Sequence, residues 1–565
     1  MDGILNLLTE QNQLLLHEYL KQRNQESFTN LNINHLEFFL NKLSEIKNTL
    51  NEREKDEYVV EAPPTVDINS IHECNVKPPN GAIFIENYKK KNLMNELKHI
   101  GLEIVKRSEV AVLFLAGGLG SRLGIDKPKG LLEITPIHNK TFFQFYFEQI
   151  KFLEEFSMTI DTARSNANIR NKFNCYYPEV GITSCNSNYS NDDLPNVFRS
   201  CDNVNRKGNM AYASSSNPNL LHASTPITEV KETTIYIYIM TSSYTHEKTV
   251  NFLEENKFFG LKKENIIFFK QCDNYSTDFN FNILLSNQNT LLTFPGGNGA
   301  LFSALDRNEI IDDMIQKNIK YVQIVSVDNV LNKISDPVLI GFCSFFQCDI
   351  ANKAVKMEEV GSVGIFCLKG NEKKLTHDEH NNFSVCEYTE LNKYILKNPE
   401  VFKYGNICHH VFSLNFLHHI VKNKLYNNMK LHKISRKKEY YDFSVYPNEK
   451  SSMSSSTVYC YEYFIFDIFK YAKNILSFEV SRDEEFYPIK NNNNGNTILN
   501  AHTKLSMLHK SWLENMKFNI IPNPMEHLNM CEISPLVSYD GAFFFHLPKR
   551  KDVHLPFSLD LGSSP

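Results

Sequence analysis

Glycine, arginine and lysine fall together in one short stretch of this 565-residue chain, LAGGLGSRLGIDKPKG (Leu115–Gly130). Gly117, Gly118 and Gly120 remove side chains where a backbone must turn sharply and approach a ligand. Successive N–H groups in such a turn can form a nest for an anion. Arg122 and Lys129 add positive charge at the same mouth. A guanidinium fork matches phosphate oxygens, and an ammonium acts as a mobile point charge. A P-loop would need GxxxxGK[ST], which is absent, and the spacing from Gly118 is GxGxxxG, ending at Gly124. Neither an ATPase nor a dinucleotide oxidoreductase therefore follows. Glycines alone would mark a structural turn; the added Arg and PKG favour a phosphate site.

Other candidates are single residues at the ends of apolar runs. Asp328 follows YVQIVSV, and ligands of open parallel sheets bind outside the carboxyl ends of strands. A carboxylate there can hold Mg²⁺, a hard cation that also accepts phosphate ligands. Gln271 follows IIFFK, and its amide can both donate and accept hydrogen bonds to a ligand. Gly297 and Asn298 occupy a second glycine turn, and Lys490 lies in a loop. Taken singly, each is more often an ordinary turn residue. His409, His410, His418 and His419 have neither HExxH nor zinc-ribbon spacing.

These residues need a scaffold, and the pattern supplies an α/β one. Short continuous apolar runs, the signature of strands buried on both faces, alternate with helical periodicity. Strands are expected at Ala111–Ala116, Thr233–Met240, Ile266–Phe269, Tyr321–Val327 and Ser477–Val480. Helices are expected at Leu93–Arg107, Thr141–Phe156, Thr245–Glu255, Leu301–Met314 and, rich in aromatics, Tyr461–Tyr471. That alternation implies a mixed, mostly parallel sheet. Residues 1–75 read as an N-terminal helical arm, 76–425 as the catalytic domain, and 426–565 as a region that completes the site and ends in a small α+β domain. An insertion at about 158–231 interrupts the catalytic domain; residues 161–220 hold 13 Asn and 8 Ser with no sustained periodicity.

Composition narrows the function classes. Sixty Lys+Arg against 65 Asp+Glu give a net charge of −5, which is no footprint for nucleic acid. No run approaches the roughly 20 apolar residues of a membrane span. The 12 cysteines include no CxxC, and Asp2 stands where a signal peptide would be basic. A soluble cytoplasmic protein is expected. The amphipathic arm could serve a homo-oligomer, although such helices usually pack on their own domain.

The pattern LAGGxG(T/S)RLG followed by PKG resembles the eukaryotic UDP-N-acetylglucosamine pyrophosphorylases and their UDP-sugar relatives. Collinear motifs extend the resemblance: IMTS (Ile239–Ser242), FFKQ (Phe268–Gln271), PGGNGALF (Pro295–Phe302), VSVDNVL (Val325–Leu331), VCEYTEL (Val385–Leu391), GNICHH (Gly405–His410) and RDEEFYPIKN (Arg482–Asn491). It implies a Rossmann-like, GT-A-like nucleotidyltransferase domain. It also implies an enzyme that forms UDP-N-acetylglucosamine and pyrophosphate from UTP and N-acetylglucosamine 1-phosphate, with Mg²⁺ or Mn²⁺ as cofactor. By that resemblance Arg122, Lys129 and Lys490 are catalytic. Leu115, Ala116, Gly117, Gly118, Gly120, Gln271, Gly297, Asp328 and Lys437 would contact the nucleotide, with Asp328 also the metal ligand. Asn298, Glu387, Tyr388 and Asn406 would contact the sugar. Leu119, Gly296 and His409 depart from the family pattern near these positions. A broader UDP-sugar pyrophosphorylase, or an inactive nucleotide-sugar-binding homologue, therefore stays open.

Overall fold

The run Val110–Leu115 forms a strand inside an eleven-stranded sheet, and its six side chains alternate between two separate apolar cores. Val110, Val112 and Phe114 point into one; Ala111, Leu113 and Leu115 point into the other. Period-two geometry with both faces covered explains why the run is continuously apolar rather than alternating. The structure is a computed structural model and describes residues 2–11, 13–21, 32–52, 58–61, 65–66, 90–120, 124–125, 127–165, 232–357, 363–371, 383–387, 402–442, 452–490, 497–542, 544 and 551–561.

The main sheet contains β1 (Tyr58–Glu61), β2 (Thr65–Val66), β3 (Val110–Leu115), β4 (Tyr236–Thr241), β5 (Ile266–Lys270), β6 (Tyr321–Ser326), β7 (Ile350–Lys356), β8 (Ile365–Asn371), β9 (Phe383–Cys386), β10 (Tyr404–Ser413) and β11 (Ile475–Glu479). Its order is β2-β11-β7-β10-β6-β3-β4-β5, with β8 carrying β1 and β9 beside β10. β6, β3, β4 and β5 run parallel, as do β7, β11 and β2; β10 is antiparallel to both neighbours. The mixed, mostly parallel sheet expected from the sequence is the one that forms. It draws strands from residues 58–66 and 475–479, on either side of the 76–425 stretch.

Helices cover both faces. α4 (Lys90–Lys106), α5 (Phe142–Ser165) and α9 (Pro337–Phe345) pack on the Phe114 side; α7 (Leu301–Arg307), α8 (Ile310–Gln316) and α10 (Leu414–Lys422) pack on the Leu113 side. α6 (His246–Glu255) follows β4. The expected helix Leu301–Met314 is instead α7 and α8, because Glu309 takes a left-handed φ of 53° between them. The expected helix Tyr461–Tyr471 is also corrected. Tyr461 and Glu462 end a strand, and only Ile465–Tyr471 coils, as a 3₁₀ helix. The β-branched and aromatic content of that stretch suits strand better than α-helix. α5 runs on to Ser165, and the Asn-rich insertion beyond it lies outside the described residues.

The N-terminal helices α1 (Asp2–Glu10), α2 (Leu14–Lys21) and α3 (Ile33–Glu52) dock on their own chain. Leu8, Leu16, Leu20, Leu36, Phe39 and Leu43 share a core with Leu285, Tyr441 and Tyr461 of a four-stranded sheet built on the ribbon His432–Asp442/Ser452–Glu462, and with Tyr275 of a separate two-stranded pair. Buried Gln13 donates to the Phe281 carbonyl at 2.9 Å and accepts from Ile283 N–H at 2.9 Å, which fixes the seam. The C-terminal unit holds α11 (Ile498–Asn515) and two short parallel strand pairs. It is clamped to α5 by buried Lys140, whose ammonium meets Glu148, Ser534 and Asp560 at 2.7, 2.9 and 3.0 Å. Among the described residues no helix is long and apolar enough to cross a membrane.

Candidate active site

Because β3, β4, β5 and β6 are parallel, their carboxyl ends open on one edge of the sheet. The glycine turn leaves β3 there. Ala116 N–H donates to Met240 O at 2.8 Å, so Ala116 still pairs with β4 just past the buried end of β3 at Leu115. The loop after β4 then holds the turn by its carbonyls. Ser242 Oγ donates to Gly117 O at 2.9 Å, and Thr245 Oγ1 donates to Ala116 O at 3.1 Å. The PKG segment folds back on the turn: Gly120 N–H donates to Lys127 O at 2.9 Å, and Lys129 N–H donates to Gly118 O at 3.2 Å. Arg122 lies outside the described residues.

At Gly117 a side chain would compete with Gln271 for the same space. A Cβ there would stand 2.1 Å from Gln271 Nε2. Gln271 follows β5, tied to β4 by its N–H on Thr241 O at 2.8 Å, and is only 8 % exposed. Its Oε1 is buried with no hydrogen-bond partner. A buried acceptor left unpaired costs about 1–3 kcal/mol, which a ligand donor would recover.

Asp328, just past β6, is the electrostatic centre. Its Oδ2 accepts from Lys129 Nζ at 3.0 Å, and its Oδ1 from Ser326 Oγ at 2.8 Å. Burial pushes its carboxyl up, but Lys129, Lys490 and the Ser326 hydroxyl outweigh that and hold it below the ordinary range. Asp328 is therefore an anion at neutral pH, and its side chain remains 21 % exposed.

Lys490 reaches this centre through a sewn seam. Ile489 N–H donates to Asp328 O at 2.8 Å, Val330 N–H to Tyr487 O at 3.1 Å, and Asn329 bridges to Pro488. The buried Asn329 amide locks the seam, donating to Glu485 O at 2.7 Å and accepting from Tyr487 N–H at 2.7 Å. Tyr146 OH on α5 caps it by donating to Asn329 O at 2.6 Å.

The second glycine turn sits opposite. Gly297 has φ of +87°, and a Cβ there would meet Tyr463 O at 2.6 Å, so both conformation and space demand glycine. Asn298 Oδ1 accepts from Ile465 N–H at 3.0 Å, and its Nδ2 lies 3.8 Å from Cys408 Sγ. Cys408 stands in a bulged stretch of β10 with a left-handed φ of 54°, beside Asn406, whose Oδ1 accepts Cys408 N–H at 2.9 Å. Bulges of this kind re-aim side chains next to active sites. Burial, with Asp328 and Glu387 nearby, pushes the Cys408 thiol up to about 12, against the Asn298 hydrogen bond and Lys490. Asn298, Asp328, Glu387 and Lys490 thus converge around one neutral thiol.

Lys437 does not join them in this way. It lies on the exposed face of the ribbon, paired with Thr457, in a sheet separate from the one that carries Asp328. Tyr388 lies outside the described residues. Sequence reading passed over Ser242, Thr245, Ser326, Asn329, Glu485 and Cys408. Small hydroxyls at the ends of apolar strand runs were the available signal for Ser242 and Ser326; nothing local marks the others. Among the described residues no group of three or more His, Cys, Asp or Glu side chains could hold a metal ion. Asp328 is a site carboxylate held by Lys129, and a cation shared with phosphates needs only one or two protein carboxylates.

A glycine turn at parallel strand ends, with Lys129 on Asp328 and Lys490 nearby, fits a nucleotidyltransferase. The family model described as UTP--glucose-1-phosphate uridylyltransferase matches residues 57–234 and 222–551, and the chain belongs to that family. It is 31% identical over 476 residues to a Dictyostelium discoideum protein named "Probable UDP-N-acetylglucosamine pyrophosphorylase", covering 82% of this chain and 81% of the other. It is 29% identical over 485 residues to a Xenopus tropicalis "UDP-N-acetylhexosamine pyrophosphorylase-like protein 1", covering 81% and 78%. The crystal structure of the uridine diphosphate N-acetylglucosamine pyrophosphorylase from Trypanosoma brucei in complex with inhibitor shares the fold. Its TM-score is 0.61 at 21% identity, over 96% of this chain and 93% of that one.

Proposed function

We propose that the chain transfers the uridylyl group of UTP to N-acetylglucosamine 1-phosphate, forming UDP-N-acetylglucosamine and pyrophosphate. A phosphate oxygen of the sugar phosphate attacks the α-phosphorus of UTP in line. The bond from that phosphorus to the bridging oxygen of the leaving pyrophosphate breaks. No proton need be abstracted from the nucleophile, which is already an anion, so the protein's work is positioning and charge neutralisation.

The observation that carries this reading is the Lys129–Asp328 contact at 3.0 Å with Lys490 sewn beside it. Lys129, with Arg122 two residues past Gly120, takes the leaving pyrophosphate. Lys490 offsets charge between the incoming sugar phosphate and the α-phosphate. The unpartnered Gln271 Oε1 accepts the imide N–H of uracil. Asn298, Glu387, Tyr388 and Asn406 form the sugar side. Lys437, on the ribbon face, has only the family resemblance to support a phosphate contact. Mg²⁺ would be held by Asp328 and substrate phosphate oxygens, and when bound supplies further neutralisation of phosphate charge. The described cysteines are all free thiols, which supports a cytoplasmic setting.

The test is pyrophosphate release from UTP and Mg²⁺ with N-acetylglucosamine 1-phosphate, N-acetylgalactosamine 1-phosphate or glucose 1-phosphate. Preference for N-acetylglucosamine 1-phosphate supports the assignment. Equal or better use of glucose 1-phosphate overturns its sugar half, and absence of release from folded, UTP-binding protein overturns the activity.

A further inference from the structure

Joined to the site through the Asn329–Glu485 hydrogen bond lies a buried cluster of charges that the proposed reaction does not use. Lys353 on β7 is fully buried. Its ammonium contacts Asp336 Oδ2 at 2.6 Å and also Glu485 Oε2. Lys333 Nζ meets the other Glu485 oxygen at 2.9 Å. Each partner is itself anchored. Asp336 caps α9 by accepting Val338 N–H at 3.0 Å, and the Lys333 carbonyl accepts from Gln323 of β6 at 3.1 Å. Glu485 closes the single helical turn Arg482–Glu485, and the segment Phe486–Ile489 leads directly to Lys490.

We infer that Glu485 is a positioning residue for Lys490: clasped by Lys333 and Lys353, it anchors the segment that carries Lys490 beside Asp328. This rests on the reading of Lys490 given above. Two features make the clasp a locating device. The pairs bind both oxygens of one carboxylate from two sides, which fixes its orientation as well as its depth. Its own carbonyl is the acceptor for Asn329, so clasp and seam meet at one residue. Net folding energy is a poor reason for such a cluster, because desolvation of buried charges offsets much of their attraction. Burial pushes the Glu485 carboxyl up, and the two lysines overcome it to bring it to about 2, so the clasp is charged throughout the neutral range.

The experiment is a double-mutant cycle of Glu485→Gln and Lys490→Ala in the full chain. It reads kcat and the KM values for UTP and N-acetylglucosamine 1-phosphate. Misplacement by about an ångström can cost on the order of a hundredfold, so Glu485→Gln is expected to lower kcat about ten- to a hundredfold. The KM for UTP should hold. In the Lys490→Ala background the same change should cost no more than about twofold, because coupled residues are non-additive. Full additivity, or loss of UTP binding in Glu485→Gln, overturns the inference and makes Glu485 a structural residue only. A Lys490→Ala enzyme with undiminished kcat overturns it differently, by removing the role of Lys490 itself. If Glu485→Gln does not fold, Lys333→Met replaces it in the cycle. Lys333 is partly exposed, and its loss leaves the Lys353 pair in place.

Discussion

The backbone N–H of Ile489 donates to the carbonyl of Asp328 at 2.8 Å, which joins the residue before Lys490 to the carboxylate at the centre of the site. These two positions are far apart in the chain, and the bond makes them one unit. The backbone beneath the carboxylate and the backbone that carries Lys490 are therefore held together.

Lys490 should matter for turnover and little for folding. Its neighbours carry the hydrogen bonds of the seam through their backbones, so truncating its side chain breaks none of them. Lys490→Ala is expected to lower kcat about 10²–10³-fold, the loss typical of one electrostatic contact to a transition state. A thermal midpoint within about 2 °C of the parent should accompany it, as for substitutions outside the core. Steady-state kinetics beside a melting curve checks both halves, and near-normal kcat/KM would remove Lys490 from the mechanism.

Asp328→Asn separates charge from shape. The amide keeps one acceptor oxygen, for Ser326 or Lys129 but not both, and the side chain is partly exposed, so folding should survive. The anion is lost, however, and with it the pull on a divalent cation. Mg²⁺ titrations of initial rate should show a clear rise for the parent and none for the variant. Metal stimulation that persists in Asp328→Asn would place the cation elsewhere.

Much of this arrangement was legible in the residues. Buried parallel strands announce themselves as continuous apolar runs, and β3, β4, β5 and β6 fell close to their expected positions. The glycine turn and Asp328 were readable as candidates because they stand at the ends of such runs. What escaped was set by tertiary contact. A hydrogen bond between Asn329 and Glu485 leaves no trace in either local sequence. The two-helix break at Glu309 rests on one left-handed residue that is not glycine. The coil at Ile465–Tyr471 was hidden because aromatic residues at helical spacing also suit a buried strand and turn. Lys437 was assigned only through the family resemblance, and strand alternation turns it to the open face of the ribbon.

Gly117 offers a substitution whose effect should be confined to the nucleotide. Its missing Cβ is the space that Gln271 Nε2 occupies, and a methyl group would displace a flexible amide rather than backbone. Gly117→Ala should thus raise the KM for UTP, on the order of tenfold, the loss expected for about one misplaced hydrogen bond. The KM for the sugar phosphate should change little. An unchanged UTP constant would separate Gln271 from base recognition.

Glu154 gives the clearest pH signature. It projects from α5, and its Oε1 accepts from Ile235 N–H at 2.8 Å just before β4. Burial raises its pKa to about 7, with Glu155 and Glu232 adding to the effect; the Ile235 hydrogen bond and Lys262 oppose it. In the unfolded chain the carboxyl ionises near its ordinary value of 4.5. Between those two values the unfolded state has released a proton that the folded state still holds. Stability from this group is therefore complete below about pH 4.5 and declines as pH rises to about 7. Above that point the folded carboxylate is charged as well, and the loss levels off at no more than about 3–3.5 kcal/mol. Glu154→Gln retains an acceptor for Ile235 and cannot ionise. Melting curves at pH 5 and pH 8 should show the variant gaining on the parent by several degrees at the higher pH and little at the lower. A parallel pH dependence in the two proteins would mean that Glu154 is already charged in the folded chain at pH 5.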